Sequence, residues 1–197
     1  MKSRNEALAL LREYTQSESL LKHAASVEAA MRWYATHFGK SPDEVEKWGI
    51  TGLLHDFDYE KFPEPTSPNG HPYNGNQILL ECGYPEDLRR AIMGHALYTN
   101  TPRDSEMAKV LFAVDELCGL VTASVLVRPD KSIHTLEASS VVKKMKDKAF
   151  AKGCNRDDIR LGAQELNIEL KDHITNVITA MRGVAAELGL VGAAQPT

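Results

Sequence analysis

The sequence predicts an all-α fold, and three observations lead to that prediction. Apolar residues recur at three- and four-residue steps over long stretches, as in the run from Leu20 to Phe38, which is typical of one face of a helix. Helix-start signals recur as well, and Ser41-Pro42-Asp43-Glu44 combines a capping-box pattern with proline at the first helical position. No stretch of any length alternates apolar and polar residues as a half-buried strand would.

The predicted helices follow one another along the chain and are separated by segments rich in proline, glycine and asparagine. The first five are a helix from Arg4 to Tyr14, one from Leu20 to Phe38, one from Ser41 to the pair His55-Asp56, one containing Ile78 to Leu80, and one restarting after Gly83 and containing His95. The remaining predictions are a sixth from about Ser105 to Thr122, a seventh with Val141, Val142, Met145 and Ala149 inward, a short one from Arg156 capped by Asn155, and one continuous stripe from Leu170 to Leu188 ending at Gly189.

Length and composition predict one globular domain over residues 1–197. The chain is 43% hydrophobic and 25% charged, which is enough apolar material for a sizeable core. The net charge of -4 and the sequence pI near 6.0 provide no global attraction to nucleic acid or to an anionic membrane. A phosphate-bearing ligand would therefore have to be bound locally.

The cysteines and the N-terminal segment predict a soluble, cytoplasmic protein. Cys82, Cys118 and Cys154 are odd in number and lack CxxC spacing, as expected for reduced thiols. The first residues have no uninterrupted apolar core of a signal peptide. No apolar run approaches the roughly 20 residues that span a bilayer.

Residues able to bind metal interrupt the apolar faces of four predicted helices. These inward-facing residues are His23, His55, Asp56, His95 and Asp115, and His71 lies beside them at a loop-to-helix junction. A buried carboxylate without a cation costs several kcal/mol or becomes protonated, and no lysine or arginine lies on these faces. Imidazole and carboxylate are common ligands of Zn, Fe and Mn, so the pattern favours a metal site.

Six ligands around one bridging carboxylate are enough for two divalent ions. One arrangement gives the first ion His23, His55, Asp56 and Asp115, and the second ion Asp56, His71 and His95. The candidate ions are Fe, Mn, Co, Ni, Zn and Mg. A plainer interpretation stays open for the His55-Asp56 pair taken alone, since such a pair more often forms a cap or a hydrogen bond.

The order of these residues resembles the HD-domain superfamily of metal-dependent phosphohydrolases, in the subset with two extra histidines and a dinuclear site. The resemblance rests on Leu53-Leu54-His55-Asp56 and on Ala113-Val114-Asp115-Glu116-Leu117, and it covers a core of residues 20–123. It implies an all-α HD fold in which His23, His55, Asp56 and Asp115 are the core ligands and His71 and His95 bind the second ion.

The C-terminal helical extension, residues 124–197, is similar to a widespread bacterial branch of that superfamily. Val127-Arg128-Pro129 and the lysine-rich segment 140–146 account for this similarity. One departure is that Phe57-Asp58-Tyr59-Glu60 follows the His-Asp pair, where the cyclic-dinucleotide branch has glycine and lysine. Cleavage of cyclic dinucleotides is therefore not expected.

The expected function is hydrolysis of a small phosphate ester, with a nucleotide as the expected substrate, by a metal-activated water. Asp56 and Asp58 are the predicted catalytic residues. Asp58 and Glu116 would assist proton transfer, and a helix-capping or solvent-facing role fits each of them at least as well. The predicted phosphate-binding residues are Arg128, Lys143, Lys144 and Arg156, although a lysine-rich helix face is often simply solvated.

Two alternatives stay open at this stage. The first is a di-iron HD-domain oxygenase, because such enzymes have a similar order of metal ligands. The second is a metal-stabilised binding module, whose site would hold a ligand without converting it. The expected partner is a small phosphorylated substrate, with no nucleic acid and no membrane, and a homodimer is compatible with the sequence.

Overall fold

The computed structural model describes residues 2–65 and 68–192 of the chain. Within these ranges it contains helices and no β-strand, apart from an isolated antiparallel bridge between Ser132 and Val191. The helices are α1 (Arg4–Tyr14), α2 (Glu18–His37), α3 (Pro42–Leu54), α4 (Tyr73–Glu81), α5 (Glu86–His95), a 3-10 turn (Leu97–Thr99), α6 (Glu106–Leu126), α7 (Ala138–Met145), α8 (Arg156–Glu165), α9 (Leu170–Arg182) and α10 (Ala185–Leu188). The predicted all-α class is confirmed.

Side-chain caps set several helix starts where the sequence predicts them. The Ser41 hydroxyl accepts a hydrogen bond from the amide of Glu44, and Pro42 opens α3. The Asn155 side chain likewise accepts from the first amides of α8. These caps satisfy amides that have no partner inside the helix, so each fixes where its helix begins.

Helix α6 is the central element of the fold. Thirteen of its 21 residues are buried, and it packs against α2, α5, α8 and α9. Helices α2 and α3 form the other main pair, with Gly52 at their closest approach. A side chain at Gly52 would begin 2.9 Å from the carbonyl oxygen of Val27, so the two backbones are in direct contact. This packing brings α2, α3, α5 and α6 together around one site.

Two predictions in the C-terminal third are wrong. The stripe from Leu170 to Leu188 is two helices, because α9 ends at Arg182 and Val184, with φ -121° and ψ 19°, leaves helical geometry before α10 begins. The guanidinium of Arg182 binds the carbonyls of Ile133 and Leu136 next to this break. Glycine has weak helix propensity, and these tertiary bonds favour the break.

The seventh predicted helix ends earlier than expected. Helix α7 stops at Met145, and Ala149 is exposed and not part of its inward face. The Asp147 carboxylate accepts a hydrogen bond from the Ala149 amide at 2.9 Å, which favours a turn over another helical residue.

Two smaller expectations concern cysteines and membranes. All three cysteines are free thiols, as predicted, with Cys118 buried and the others partly buried. Across residues 2–65 and 68–192, none of the helices has the length and apolar character needed to span a bilayer.

Candidate metal centre

The six predicted metal ligands lie together where four helices converge. His23 comes from α2, His55 and Asp56 follow the last residue of α3, His71 precedes α4, His95 ends α5, and Asp115 lies within α6. Their ligand atoms form two groups that share Asp56. In each group these atoms all lie within 4.8 Å of one another.

The first group consists of His23, His55, Asp56 and Asp115. Asp115 Oδ1 lies 3.0 Å from His23 Nε2 and 3.3 Å from His55 Nε2. His55 Nε2 lies 3.4 Å from Asp56 Oδ2. Two imidazole nitrogens and two carboxylate oxygens therefore point at one small volume, which is a suitable ligand set for a divalent transition metal.

The second group uses the other oxygen of Asp56. Asp56 Oδ1 lies 3.2 Å from His71 Nε2 and 3.4 Å from His95 Nε2. The two histidine Nε2 atoms are 3.3 Å apart. Because Oδ2 faces the first group and Oδ1 faces the second, the Asp56 carboxylate has the geometry of a bridge between two ions.

Backbone carbonyls orient two of the imidazoles for metal binding. His55 Nδ1 donates to the Gly52 carbonyl at 2.8 Å, and His95 Nδ1 donates to the Ile92 carbonyl at 2.5 Å. Each bond leaves Nε2 with its lone pair directed at the cluster. His55 Nε2 is buried and has no hydrogen-bond partner among the described residues. An unpaired buried nitrogen is unfavourable by itself, so this atom fits a role as a metal ligand.

Asp58 orients His71 from behind. Its Oδ1 accepts a hydrogen bond from His71 Nδ1 at 2.7 Å, and its Oδ2 accepts one from the amide of Gly75 at 2.8 Å. Asp58 is only 1% exposed, and a side chain at Gly75 would begin 2.6 Å from its Cγ. This placement favours an orienting role for Asp58 over the predicted role in proton transfer. The hydrogen bond between Asp58 and His71 is not predictable from the sequence, because His71 follows a loop and no helical periodicity indicates where its side chain points.

The carboxylates and histidines of the centre stabilise each other's charges. Burial disfavours charge on Asp56, but the facing histidines, His55 first, hold the pKa of its carboxyl well below its usual range. Burial also opposes charge on His55, yet Asp56 and Asp115 raise the pKa of this imidazole well above its ordinary value. The site therefore favours positive charge between its carboxylates, which a proton or a divalent cation can supply.

A cavity of about 630 Å³ opens onto the ligand groups. Tyr59 and Tyr98, which are 42% and 38% exposed, lie at its rim. Glu116 and Asp158 lie in its wall, and burial, assisted by Asp115, raises the pKa of Glu116 to about 7. No lysine or arginine is found among the cavity-lining residues that the structure describes. An anion in this cavity would therefore meet no lysine or arginine side chain among the described lining residues.

The four predicted phosphate-binding residues do not reach this cavity. Arg128 pairs with Asp130, with Nε 3.0 Å from Oδ1. Lys143 is exposed, and the ammonium of Lys144 lies 4.7 Å from the centroid of the Phe150 ring. The positions of Arg128, Lys143 and Lys144 therefore do not support a role in binding a phosphate at the candidate metal centre.

Arg156 is held by the backbone. Its guanidinium donates to the carbonyls of Ala151 at 2.6 Å and Cys154 at 2.5 Å, and also to that of Phe150. These bonds use its donors to order the segment before α8. A structural role thus explains this side chain better than contact with substrate at the metals.

The converging histidines and aspartates place this chain in the class of all-α proteins with a candidate centre for divalent metals. The family model for the HD domain matches residues 20–120, which include all six candidate ligands, and the chain belongs to the HD-domain family. HD domains bind divalent metals, and the superfamily consists mostly of metal-dependent phosphohydrolases. Neither the curated proteins nor the solved structures include a match to this chain.

Proposed function

We propose that this protein is a metal-dependent phosphohydrolase that cleaves a small phosphate ester, with nucleotides as the substrate class, by means of two divalent ions. The observation that carries the proposal is the orientation of Asp56, whose two oxygens face two separate groups of ligands. Such an arrangement suits an in-line displacement in which attacking and leaving oxygens both need stabilisation. Membership of the HD-domain family supports the same chemistry.

Each of the two groups of ligand atoms would hold one ion. His23, His55 and Asp115 would hold one ion, His71 and His95 the other, and Asp56 would bridge them. The bound ions would supply Lewis acidity and an activated water, whose pKa falls to about 7 from about 15.7 in bulk water. Fe, Mn, Co, Ni, Zn and Mg are the candidate ions.

One residue behind the ligands would orient His71, and three residues that line the cavity would orient the substrate and handle protons. Asp58 holds the His71 imidazole with Nε2 toward Asp56, because it accepts the proton on Nδ1. Tyr59 and Tyr98 offer exposed rings at the rim, which supports stacking against a nucleotide base. Glu116 lines the same cavity, which supports it as the group that gives a proton to the leaving oxygen.

The direct test is turnover of a panel of phosphate esters by protein loaded with each candidate metal. We expect release of inorganic phosphate from at least one nucleotide, and we expect chelation to abolish it. Saturable binding of nucleotides without any turnover under all metals would contradict the proposal and favour a non-catalytic module.

A second candidate function, a di-iron oxygenase, is favoured by one specific observation. The described lining of the cavity contains no lysine or arginine to assist a phosphate, while its His and Asp ligands also suit iron. Iron-loaded protein that consumes dioxygen with a small organic substrate, and releases no phosphate from any ester, would establish this alternative.

A further inference from the structure

A basic pocket lies directly beside the metal cavity. It has a volume of about 630 Å³ and shares Gly153, Cys154 and Asn155 with the lining of the metal cavity. Five cationic residues line this basic pocket, namely Lys146, Lys148, Lys152, Arg156 and Arg160. The pocket lies wholly outside the segment that matches the HD domain, so family membership assigns it no role.

The positive charge of the basic pocket is only partly neutralised by the protein. Residues 143–160 hold seven of the 23 lysines and arginines but only three aspartates, in a chain whose net charge is -4. Arg160 pairs with Asp157, which is the one acidic residue in the described lining, at 2.9 Å. Lys146, Lys148 and Lys152 form no ion pair within the part of the chain that the structure describes. Three ammonium groups thus remain available to an anionic ligand.

The two neighbouring cavities have opposite charge character. Beyond the metal ligands, the ionisable side chains in the described lining of the metal cavity include the acidic residues Glu116 and Asp158 and no lysine or arginine, so none of them attracts an anion. A single phosphate can be bound by the metals, but a second one would find no protein cation there. Across the shared wall of residues 153–155, the second phosphate would meet the free lysines instead.

We propose that the basic pocket binds a second phosphate of the substrate while the scissile phosphate ester lies at the metal centre. The substrate class is then a small molecule with two separate phosphate groups, such as a nucleoside bisphosphate. This inference rests on the proposed function for the scissile group, but the charge of the basic pocket is independent of the metals.

The test compares adenosine 3′,5′-bisphosphate with adenosine 5′-monophosphate, binding to metal-loaded protein at fixed ionic strength by calorimetry. We expect the wild type to bind the bisphosphate about tenfold more tightly, as two or three partly exposed ion pairs would provide. Changing Lys148→Ala and Lys152→Ala together should reduce this preference to about twofold or less. Lys148→Arg with Lys152→Arg should preserve it, because the charge is kept.

A matched control uses Lys171→Ala, an exposed lysine of α9 outside both cavities. This variant should keep the wild-type preference, and an equal loss there would show a general charge effect and overturn the proposal. Equal affinity of the wild type for the two nucleotides, or a preference that survives the double alanine change, would also overturn it.

Binding and turnover separate this inference from the proposed function. If monophosphates are hydrolysed but the lysines do not increase the affinity for bisphosphates, the proposed second phosphate site is wrong and the proposed hydrolase function is retained. If no ester is hydrolysed but the lysines still determine the preference in binding for the bisphosphate, the proposed hydrolase function is wrong and the second phosphate site is retained.

Discussion

Asp58 shows how much of this metal centre depends on residues behind the ligands. It holds His71 through a 2.7 Å hydrogen bond and is itself fixed by the amide of Gly75. A carboxylate in this position selects the tautomer of the imidazole and increases the basicity of its other nitrogen. The second ion should therefore be more sensitive to Asp58 than the first.

We expect Asp58→Asn to weaken binding of one ion about 10- to 100-fold while the other stays bound. The amide keeps the shape of the side chain but removes its charge, and its single oxygen cannot accept from both the His71 Nδ1 proton and the Gly75 amide, as the two carboxylate oxygens do. Metal titration followed by elemental analysis measures both affinities. Asp172→Asn, an exposed change on α9, is the control and should alter neither. Equal weakening of both ions would contradict this role.

His173 lies in the core and is bonded on both ring nitrogens. Its Nε2 donates to the Ala113 carbonyl at 2.9 Å, and its Nδ1 accepts from the Tyr34 hydroxyl at 2.6 Å. This arrangement requires a neutral ring, and burial lowers the pKa of His173. A lowered folded-state pKa means that the unfolded chain binds the proton more readily. The stabilising effect is thus full above the unfolded pKa of about 6.5 and declines as pH falls below it.

We expect His173→Gln to reduce the free energy of unfolding by about 1 kcal/mol at pH 8. The difference from the wild type should shrink between pH 6.5 and pH 5, because only the wild type loses stability by protonating this side chain. Unfolding of both proteins in denaturant at each pH measures this difference in the free energy of unfolding. His134→Gln changes an exposed histidine, is the control, and should keep the free energy of unfolding at pH 8 near that of the wild type. A difference for His173→Gln that grows at low pH would contradict the assignment.

At the scale of the elements, the close contact between α2 and α3 sets the distance between His23 and His55. Gly52 lies at that contact, where a side chain would begin 2.9 Å from the Val27 carbonyl oxygen and 3.0 Å from the Glu28 amide nitrogen. Both neighbours are backbone atoms, which cannot move aside without shifting a helix. The geometry of the first ligand group therefore depends on a glycine that is not itself a candidate ligand.

We expect Gly52→Ala to lower the free energy of unfolding by about 1–3 kcal/mol, because the added methyl group overpacks the α2–α3 contact. Unfolding in denaturant measures this loss. Gly153→Ala is the matched control, since a side chain there has no neighbour within 4 Å, and its stability should stay near that of the wild type. A stable Gly52→Ala variant would show that the two helices can separate freely.

The sequence predicts helices well where a side-chain cap or a sustained stripe specifies them. Ser41 and Asn155 cap helices as expected, and α1 has the predicted bounds. The break after Gly183, at Val184, is not predictable in this way, because a single glycine is tolerated within a helical stripe and tertiary bonds of Arg182 favour the break.

At the scale of the whole molecule, the sequence predicts which candidate ligands on the helices lie close together, whereas His71 and the surroundings of the cluster depend on tertiary folding. His23 and Asp115 are visible as polar residues on apolar stripes, which local periodicity alone can reveal. The partner of Arg128, by contrast, depends on the path of the chain after α6, where Asp130 neutralises it. The basic pocket also depends on tertiary folding, since it forms where residues 145–160 turn beside the metal cavity.

Removal of metal should weaken the entire fold, because the centre joins α2, α3, α5 and α6. A ligand that binds only the folded state stabilises it by about 2.7 kcal/mol at a concentration 100 times its Kd. We expect chelated protein to show a lower Tm that returns when Mn²⁺ is added back. A Tm independent of Mn²⁺, Zn²⁺ and Fe²⁺ would show that these helices do not depend on a bound ion.

The most direct test of the dinuclear centre is a count of metal atoms per chain by elemental analysis, after purification without chelator. The bridging position of Asp56 predicts a value near two for the wild type and near zero for Asp56→Ala, because one carboxylate serves both ions. Asp104→Ala removes an exposed carboxylate and should keep the wild-type value. A wild-type value near zero without rebinding, or full metal content in Asp56→Ala, would contradict the bridging role of Asp56.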